Sequence, residues 1–391
     1  MKQELLRGSG CLAEVPAILA GQRVLLLTGR SAGATPEVEA LARELGQAGT
    51  LQHVAFSTPL LDTREVDRVA ASIEPRPDAI VAVGGGSIQD LAKCLKATWD
   101  CEVATVDELL GEVLGAGRQS EDSPGPGDGA GRVRGHETVH VAVPTTAGTG
   151  SEATCFATVY RDLRKESLED PRLLPAVAVL DPTLLRGVPA RVAGPCALDT
   201  LSQAIESVAS RRATDASVDL AIEAVGLAAG AVLPAVLHRD LDAMARMQLA
   251  SYRAGQAIQL TRTTLAHGLS YALSAHFGVP HGLAVFLVLP AVVRFNAGVG
   301  PEDCLDERGP AHYHARMERL FATLDVADHE ALASWAEGLL ARLGFSPRLA
   351  DHGIEPADLR RIVDSALGSA RSGNNPRRPR FEDLVDAIRS T

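Results

Sequence analysis

The sequence predicts an α/β domain with a parallel sheet, residues 1–189, followed by an all-helical domain, residues 190–391. In the first half, short apolar runs alternate with amphipathic helical segments, a pattern typical of a Rossmann-like domain. From Val192 onward the alternation typical of strands disappears, and aliphatic residues recur at three- and four-residue spacing. A chain of 391 residues is also too long for one simple core, which favours two domains.

The strands of the first half are predicted from apolar runs that end in loops. Runs without polar alternation are typical of parallel strands buried on both faces. The predicted strands are Val24–Thr28, Leu51–Phe56, Ala79–Val83, Val103–Val106, Val139–Val143, Thr154–Tyr160 and Ala176–Leu180. The predicted helices begin at Pro36, with Thr35 as the cap, and cover Thr63–Ile73 and Ile88–Ala97. Residues 117–137, dense in Gly, Pro, Ser and charge, are predicted to form a mobile surface loop.

The second half is predicted to contain nine helices, with the domain boundary near Pro189. Ligand sites are expected in the cleft between the halves. The predicted helices are Pro195–Ser210, Ala213–Leu237, Leu241–Leu260, Thr263–His276, Leu283–Asn296, Ala311–Leu324, Glu330–Leu343, Pro356–Leu367 and Phe381–Ile388.

Composition excludes several classes of function. The net charge of −11, with no basic run, argues against a nucleic-acid partner. Six scattered cysteines without a C-x-x-C motif argue against a disulfide framework or a cysteine zinc site. No signal peptide and no apolar run of membrane-spanning length is evident, so a cytoplasmic location without membrane association is expected.

Two glycine-rich loops follow predicted strands and are candidates for binding a nucleotide. Gly84-Gly85-Gly86-Ser87 lies between a strand and a helix, where backbone amides and the helix N-terminus favour a pyrophosphate. Asp90, one turn into that helix, is a candidate acceptor for a ribose or an amide, or a helix cap. No G-x-G-x-x-G follows the first strand. The small and hydroxyl residues of the second loop, Thr145–Ser151, would also let the backbone approach a ligand closely.

A candidate metal site combines two histidines with an acid and an amide. On one straight helix His267 and His281 would lie ~21 Å apart along the axis. Gly278 and Pro280 make an unbroken helix unfavourable, so the two rings can converge. Asp199 and Gln203, four residues apart on a predicted helix, would share one face and complete an O/O/N/N set for Zn²⁺ or Fe²⁺.

Four motifs in this order resemble the iron-containing (group III) alcohol dehydrogenases. They are G-G-G-S-x-x-D, P-T-T-A-G-T-G-S-E, D-x-x-x-[H]-A-x-E-S and A-H-G-x(11)-P-H-G, and the resemblance covers nearly the whole chain. It implies a Rossmann-like dinucleotide domain, a helical domain with one divalent metal, and an NAD(P)H-dependent reaction on an aldehyde or alcohol. The metal ligands carry over to Asp199, His267 and His281, whereas the fourth, usually His, falls on Gln203. The resemblance also admits a homodimer.

The resemblance further predicts which residues contact the cofactor. Members restricted to NAD tend to carry an acid just after the first strand, whereas this chain has Gly29-Arg30-Ser31. NADPH is therefore expected to be favoured, with Arg30 and Ser31 near its 2′-phosphate. The full set of predicted cofactor contacts is Gly29, Arg30, Ser31, Gly84, Gly85, Gly86, Ser87, Asp90, Thr145, Thr146, Gly148, Thr149, Ser151 and Lys165.

A narrower resemblance is carried by Gln259–His267, Lys165–Leu168 and Asn374–Arg377, which are similar to the phosphonoacetaldehyde reductases of phosphonate biosynthesis. This branch has Tyr, here Tyr271, where other members carry a further His. It implies catalysis with His267 and Tyr271 and a small anionic aldehyde as substrate, reduced to 2-hydroxyethylphosphonate. The predicted substrate-binding residues are Arg262, Asn374, Asn375 and Arg377.

Three alternatives remain open at this level. The chain could act on another small aldehyde or alcohol. It could be a lyase of the dehydroquinate-synthase type, although P-T-T-A-G-T-G-S-E argues against this. It could also be a binding protein without catalysis, since Gln203 weakens the expected metal site.

Overall fold

The computed structural model describes residues 3–58, 60–117, 137–162 and 164–389, so most of the predicted loop 117–137 lies outside it. The chain forms two compact units. The first contains the residues up to Thr146 and Ser151–Gly187, and the second contains Ala147–Gly150 and the residues from Val188 onward. The domain boundary predicted near Pro189 puts Ala147–Gly150 in the first domain. The structure places it in the second because Gly150, with a φ of 61°, packs so closely that a Cβ would lie 2.6 Å from the Cα of Gly255.

A six-stranded parallel sheet in the order β1-β8-β5-β4-β2-β3 is the centre of the first unit, and β6 and β7 pair separately as an antiparallel hairpin. The strands are β1 Glu4–Arg7, β2 Arg23–Gly29, β3 Thr50–Phe56, β4 Ala79–Gly84, β5 Val139–Pro144, β6 Phe156–Arg161, β7 Arg164–Glu169 and β8 Val177–Leu180.

Helices cover both faces of this sheet. They are α1 Val15–Ile18, α2 Arg30–Gly33, α3 Pro36–Ala48, α4 Thr63–Ala71, α5 Gly86–Asp100 and α6 Val106–Gly117. Residues of α1 and α3 pack with Leu26 and Val81 on one face, whereas α4, α5 and α6 pack with Leu25 and Ile80 on the other. Every residue of β4 is therefore buried, which explains why the strands read as continuous apolar runs.

Several elements of the first unit differ from the prediction. The strands β1 and β7 were not predicted, because one is a short edge strand and the other is mostly polar. The predicted strand Val103–Val106 is wrong, since α6 begins at Val106. Thr105 Oγ1 accepts from the amide of Glu108 at 3.2 Å, and the Glu108 carboxylate accepts from the amide of Ala104 at 2.9 Å. This exchange resembles a capping box and starts a helix.

The described part of the second unit is helical. Its helices are α7 Ala190–Ala209, α8 Asp215–Ala229, α9 Val232–Leu237, α10 Leu241–Thr261, α11 Leu265–Phe277, α12 His281–Ala297, α13 Pro310–Leu324, α14 His329–Arg342, α15 Leu359–Leu367 and α16 Phe381–Arg389. The single helix predicted over Ala213–Leu237 is two helices, which break at Gly230. Helix α7 begins five residues earlier than predicted and carries Pro195 inside it.

No helix among the described residues is both long enough and apolar enough to cross a membrane.

Candidate functional site

The two candidate histidines lie on consecutive helices that a short turn joins. Helix α11 ends at Gly278, whose φ of 67° lies in the left-handed region that favours glycine, and Pro280 precedes α12. The turn brings the rings of His267 and His281 together, with centroids 5.4 Å apart and planes at 68°. The predicted interruption between the two histidines is therefore present.

Asp199 on α7 joins this pair. Its Oδ1 lies 3.4 Å from His267 Nε2, and both side chains are buried. One ligand atom from each of Asp199, His267 and His281 lies within 4.8 Å of the others. In the part of the chain that the structure describes, no other group of three or more His, Cys, Asp or Glu side chains meets in this way.

Gln203, one turn after Asp199 on α7, is buried beside the same cluster. Its amide nitrogen donates to the carbonyl of Thr149 at 3.4 Å. Among the described residues, the buried Gln203 Oε1 has no hydrogen-bond partner, and the buried Asp199 Oδ1 makes no hydrogen bond beyond its 3.4 Å ion-pair contact with His267 Nε2. Buried oxygens without a partner cost free energy, which a bound cation would recover. The donor set of two oxygens and two imidazoles fits Zn²⁺ or Fe²⁺.

Gly282 lets α12 approach α7 closely at this point. A Cβ at residue 282 would lie 2.0 Å from the carbonyl oxygen of Pro195 and 2.7 Å from the Cβ of Asp199. Only glycine fits, so the position directly after His281 fixes the spacing between the two helices that carry ligands.

Glu206 contacts this cluster and is absent from the site residues predicted from the sequence. Its Oε1 accepts from the amide and hydroxyl of Thr264, at 3.1 and 2.7 Å, and from the amide of His267 at 3.2 Å. Its Oε2 is hydrogen-bonded to His267 Nδ1. Glu206 lies seven residues after Asp199, hence two turns along the same face of α7, and this spacing is the signal that could have identified it.

The charges in this cluster depend on one another. Burial would raise the pKa of Asp199 and of Glu206, but His267 beside them holds both below their ordinary values. Burial would lower the pKa of His267, but Glu206 and Asp199 raise it to about 10. Glu206 holds Nδ1 of the ring, so Nε2 is the nitrogen directed toward Asp199. A carboxylate that orients a histidine in this way is common behind metal ligands.

We expect Gln203→His to bind Zn²⁺ or Fe²⁺ more tightly than the wild type. Imidazole is a stronger ligand for these ions than a neutral amide oxygen. The measurement is metal content after dialysis against increasing concentrations of a chelator. Equal loss of metal from both proteins would show that Gln203 is not a ligand.

The predicted nucleotide loops lie at the carboxyl ends of three neighbouring strands of the first unit. Gly29 ends β2, Gly84 ends β4 and is followed by Gly85 as the N-cap of α5, and Thr145 follows β5. Arg30 and Ser31, at the start of α2, are exposed, as is Ser87 in the first turn of α5. In open parallel sheets this edge is where nucleotides bind.

Asp90 ties the second loop to α5. Its Oδ1 accepts from the hydroxyl of Ser151 at 3.0 Å and its Oδ2 from the amide of Thr158 at 3.2 Å. The buried Lys93 donates to the carbonyl of Ser151 at 2.7 Å and to that of Phe156 at 2.8 Å. These contacts give Asp90 a role in holding the loop.

Other predicted cofactor residues are divided between the units. Thr146 belongs to the first unit, 3.5 Å from the position of a Cβ at Gly85. Gly148 and Thr149 belong to the second unit, where a Cβ at Gly148 would lie 2.8 Å from the Cβ of Cys196. Lys165 is in β7, but its side chain lies outside the described part of the structure.

Tyr271 and Arg262 lie on either side of His267 in the sequence. Tyr271 is half-buried and one turn after His267 on α11, so the two share a face of the helix. Arg262 caps the end of α10 with a φ of 62°, and its Nη1 donates to the carbonyl of Gln259 at 2.7 Å. Both residues are therefore within a few positions of a candidate ligand.

The structure gives the other three predicted substrate-binding residues contacts within the protein. Asn374 Nδ2 donates to the carbonyls of Thr261 and Thr263, at 2.8 and 2.9 Å. Asn375 Nδ2 donates to Asn296 Oδ1 and to the Arg377 carbonyl, both at 2.7 Å. Both side chains are hydrogen-bond donors, as the sequence predicts, but each side-chain amide donates both of its N–H groups to acceptors within the protein.

Arg377 is likewise held by the protein. Its Nε donates to Asp303 Oδ2 at 2.6 Å and its Nη1 to the Phe295 carbonyl at 2.7 Å, while the guanidinium lies 4.5 Å from the Phe295 ring centroid. These contacts hold the Arg377 side chain within the protein, and its contact with substrate stays a prediction.

Two family models match almost the entire chain. The model described as iron-containing alcohol dehydrogenase matches residues 2–182. The model described as the C-terminal part of the Fe-containing alcohol dehydrogenase family matches residues 195–391.

Individual relatives agree with these models. The chain is 37% identical over 313 residues to phosphonoacetaldehyde reductase of Streptomyces viridochromogenes, covering 79% of this chain and 75% of that protein. An iron-containing alcohol dehydrogenase from Thermococcus thioreducens superposes with a TM-score of 0.84 at 26% identity, covering 100% of this chain and 99% of the other. The sulfoacetaldehyde reductase of Bifidobacterium kashiwanohense, solved with NAD⁺, gives a TM-score of 0.83 at 25% identity, covering 99% and 96% of the two chains.

Proposed function

The chain belongs to the iron-containing alcohol dehydrogenase family, and from this premise we propose that it reduces phosphonoacetaldehyde to 2-hydroxyethylphosphonate with NADPH. Membership confirms the predicted architecture and the predicted oxidoreductase class. The family uses NAD(H) and a divalent metal, so the finer proposals concern the substrate, the preference for NADPH and the roles of individual residues.

The observation that carries the substrate proposal is the placement of Arg262 five residues before His267, in a turn that Asn374 fixes on both sides. A guanidinium near the reacting carbonyl can hold the oxygens of a phosphonate bidentately. The identity of 37% to a phosphonoacetaldehyde reductase supports the same assignment.

In the proposed reaction a hydride adds to the carbonyl carbon and a proton to the carbonyl oxygen, giving the alcohol and NADP⁺. Asp199, Gln203, His267 and His281 would hold the metal, and its chemistry there would be that of a Lewis acid toward the carbonyl. The cofactor supplies the hydride. Glu206 orients His267, and we assign Tyr271, one turn along α11, to the proton that reaches the alkoxide. This proton would be transferred to the former carbonyl oxygen of the substrate.

The preference for NADPH rests on Arg30 and Ser31, which are exposed and follow Gly29 at the carboxyl end of β2. No acidic residue occupies this place in the sequence. An acid at this place would bind the ribose 2′-hydroxyl and repel a 2′-phosphate. Comparison of kcat/KM for NADPH and NADH, in the wild type and in Arg30→Ala, tests this proposal. A strong preference for NADH that Arg30→Ala leaves unchanged would contradict it.

A second candidate substrate is sulfoacetaldehyde, because the chain is similar in structure to a sulfoacetaldehyde reductase. The two aldehydes share a two-carbon chain and a tetrahedral anionic group, but the phosphonate carries up to two charges and the sulfonate one. Oxidation of NADPH with each of them, and with the neutral propionaldehyde, distinguishes these substrates.

We expect Arg262→Ala to lose about ten- to hundred-fold in kcat/KM for phosphonoacetaldehyde and little for propionaldehyde. Loss of one charge-assisted contact corresponds to roughly 1.5–3 kcal/mol. A matched control is Arg239→Ala, which removes an exposed arginine of the second unit with a similar φ of 56°. Equal loss on both aldehydes would assign Arg262 to the fold or the metal site. A wild type that prefers propionaldehyde would leave only the general alcohol dehydrogenase assignment.

A further inference from the structure

Two buried side chains tie together three segments of the second unit. Ser210, at the end of α7, lies with its Oγ 3.0 Å from Asn374 Oδ1 and 3.3 Å from the carbonyl of Thr261. The Asn374 carbonyl accepts from the amide of Arg211 at 3.2 Å, and its amide group donates to Thr261. The end of α7, the turn after α10 and the segment before Asn374 therefore have fixed relative positions.

Arginines with no carboxylate partner lie on two of these segments. Arg211 and Arg212 directly follow the end of α7, and Arg371 precedes the 3₁₀ turn that contains Asn374. Among the ion pairs within 4 Å that the described residues form, none includes any of the three. Nearby, by contrast, Asp306 already pairs with Arg308 at 2.7 Å and with Arg316 at 3.1 Å.

The positive charges of Arg211 and Arg371 both act on the guanidinium of Arg212. Partial burial of its guanidinium lowers the pKa of Arg212, and the positive charges of Arg211 and Arg371 lower this pKa further. Cations held together without a counter-ion are unusual in a chain whose net charge is −11. A bound anion would relieve this repulsion, and a tetrahedral oxyanion can accept bidentate bonds from each guanidinium.

The Cβ of Arg371 lies beside the residue that follows the candidate ligand His267 in the sequence. A Cβ at Gly268 would lie 3.6 Å from the Cβ of Arg371, and Gly268 is the residue directly after His267. Arg371 is half-buried and Arg212 is exposed, so an anion can reach this group of arginines.

We propose that Arg371 binds the anionic group of the aldehyde substrate and that Arg211 and Arg212 strengthen the positive field around it. This proposal rests on the proposed function and replaces Asn374, Asn375 and Arg377 as substrate contacts. Asn374 instead positions the segment that carries Arg371. Because three cations act together, the site favours the phosphonate dianion over the sulfonate monoanion.

The test compares kcat/KM for phosphonoacetaldehyde, sulfoacetaldehyde and propionaldehyde, and inhibition of propionaldehyde reduction by methylphosphonate. The variants are Arg371→Gln, Arg371→Lys and Arg212→Gln. The control is Arg378→Gln, which removes an exposed arginine from the same region of the chain. We expect Arg371→Gln to lose about ten- to hundred-fold on phosphonoacetaldehyde, less on sulfoacetaldehyde and almost nothing on propionaldehyde.

Several results support the proposal. Arg371→Lys keeps part of the activity on phosphonoacetaldehyde that Arg371→Gln loses. Arg212→Gln has a few-fold lower kcat/KM than the wild type at low salt, and added salt removes this difference because it screens the charge of Arg212. Methylphosphonate no longer inhibits Arg371→Gln. Equal loss on all three aldehydes, or no loss on any, would overturn it. If Arg371→Gln does not fold, Arg212→Gln and Arg371→Lys carry the same comparison.

Failure of the proposed function gives a different result. A wild type that prefers propionaldehyde refutes phosphonoacetaldehyde as the substrate. In that case the arginine site stands if methylphosphonate inhibits the wild type and not Arg371→Gln, and it is overturned if methylphosphonate inhibits both equally or neither.

Discussion

Replacement of Gly282 by alanine is expected to lower the free energy of unfolding by about 3 kcal/mol or more and to abolish metal retention. The added Cβ would lie 2.0 Å from the Pro195 carbonyl oxygen, and the contact is with backbone, which cannot rotate away. Helices α7 and α12 must separate to accommodate it, and Asp199 then moves away from His281. Denaturant unfolding and metal content of the purified protein measure the two effects.

The matched control is Gly338→Ala. Gly338 is an exposed residue in the interior of α14, and a Cβ there would meet no atom within 4 Å. Alanine at such a site stabilises a helix by roughly 0.5–1 kcal/mol, so the two variants should change stability in opposite directions. A Gly282→Ala protein that keeps both its stability and its metal would show that the contact of α12 with α7 does not hold the ligands in place.

Elements whose residues are buried on both faces could be predicted from the sequence. The strands β2, β4, β5 and β8 read as apolar runs because helices cover the sheet on each side, and their predicted positions agree with the structure to within one or two residues. The short edge strand β1 could not be predicted in this way, because its stability comes from pairing with β8, which is distant in sequence.

The candidate metal ligands could be proposed from the sequence because local patterns bring them together. Gly278 and Pro280 interrupt the helix between the two histidines, and the four-residue spacing of Asp199 and Gln203 puts both on one face of α7. The seven-residue spacing from Asp199 puts Glu206 on the same face of α7, but its contact with His267 on α11, 61 residues away, follows only from the fold.

The loop Asn374–Arg377 shows a different limit of sequence reasoning. Its side chains do donate hydrogen bonds, but the composition of the loop does not show whether a donor bonds to a ligand or to another part of the protein. Arg371, which has no motif of its own, is distinguished only by its distance from Gly268 and by the other arginines around it. The net charge around a residue therefore depends on side chains that only the fold brings near it.

Replacement of Glu206 by glutamine is expected to lower metal affinity and kcat/KM about ten- to hundred-fold while preserving the fold. The amide oxygen of glutamine can still accept from Thr264 and from the backbone amide of His267, as Glu206 Oε1 does. The NH₂ group then takes the place of Oε2 and donates to His267 Nδ1. The ring must carry its hydrogen on Nε2, and Nε2, directed toward Asp199, no longer offers a lone pair to the metal.

Thr264→Val is the control that separates orientation of the ring from support of the helix. It removes the hydroxyl that donates to Glu206 at 2.7 Å but keeps the carboxylate on His267 Nδ1. It should destabilise the protein by about 1 kcal/mol and leave metal affinity within a few-fold of the wild type. If Glu206→Gln and Thr264→Val lost metal equally, Glu206 would act by holding the start of α11. A loss confined to Glu206→Gln assigns it to the tautomer of His267, because only that variant reverses the donor at Nδ1.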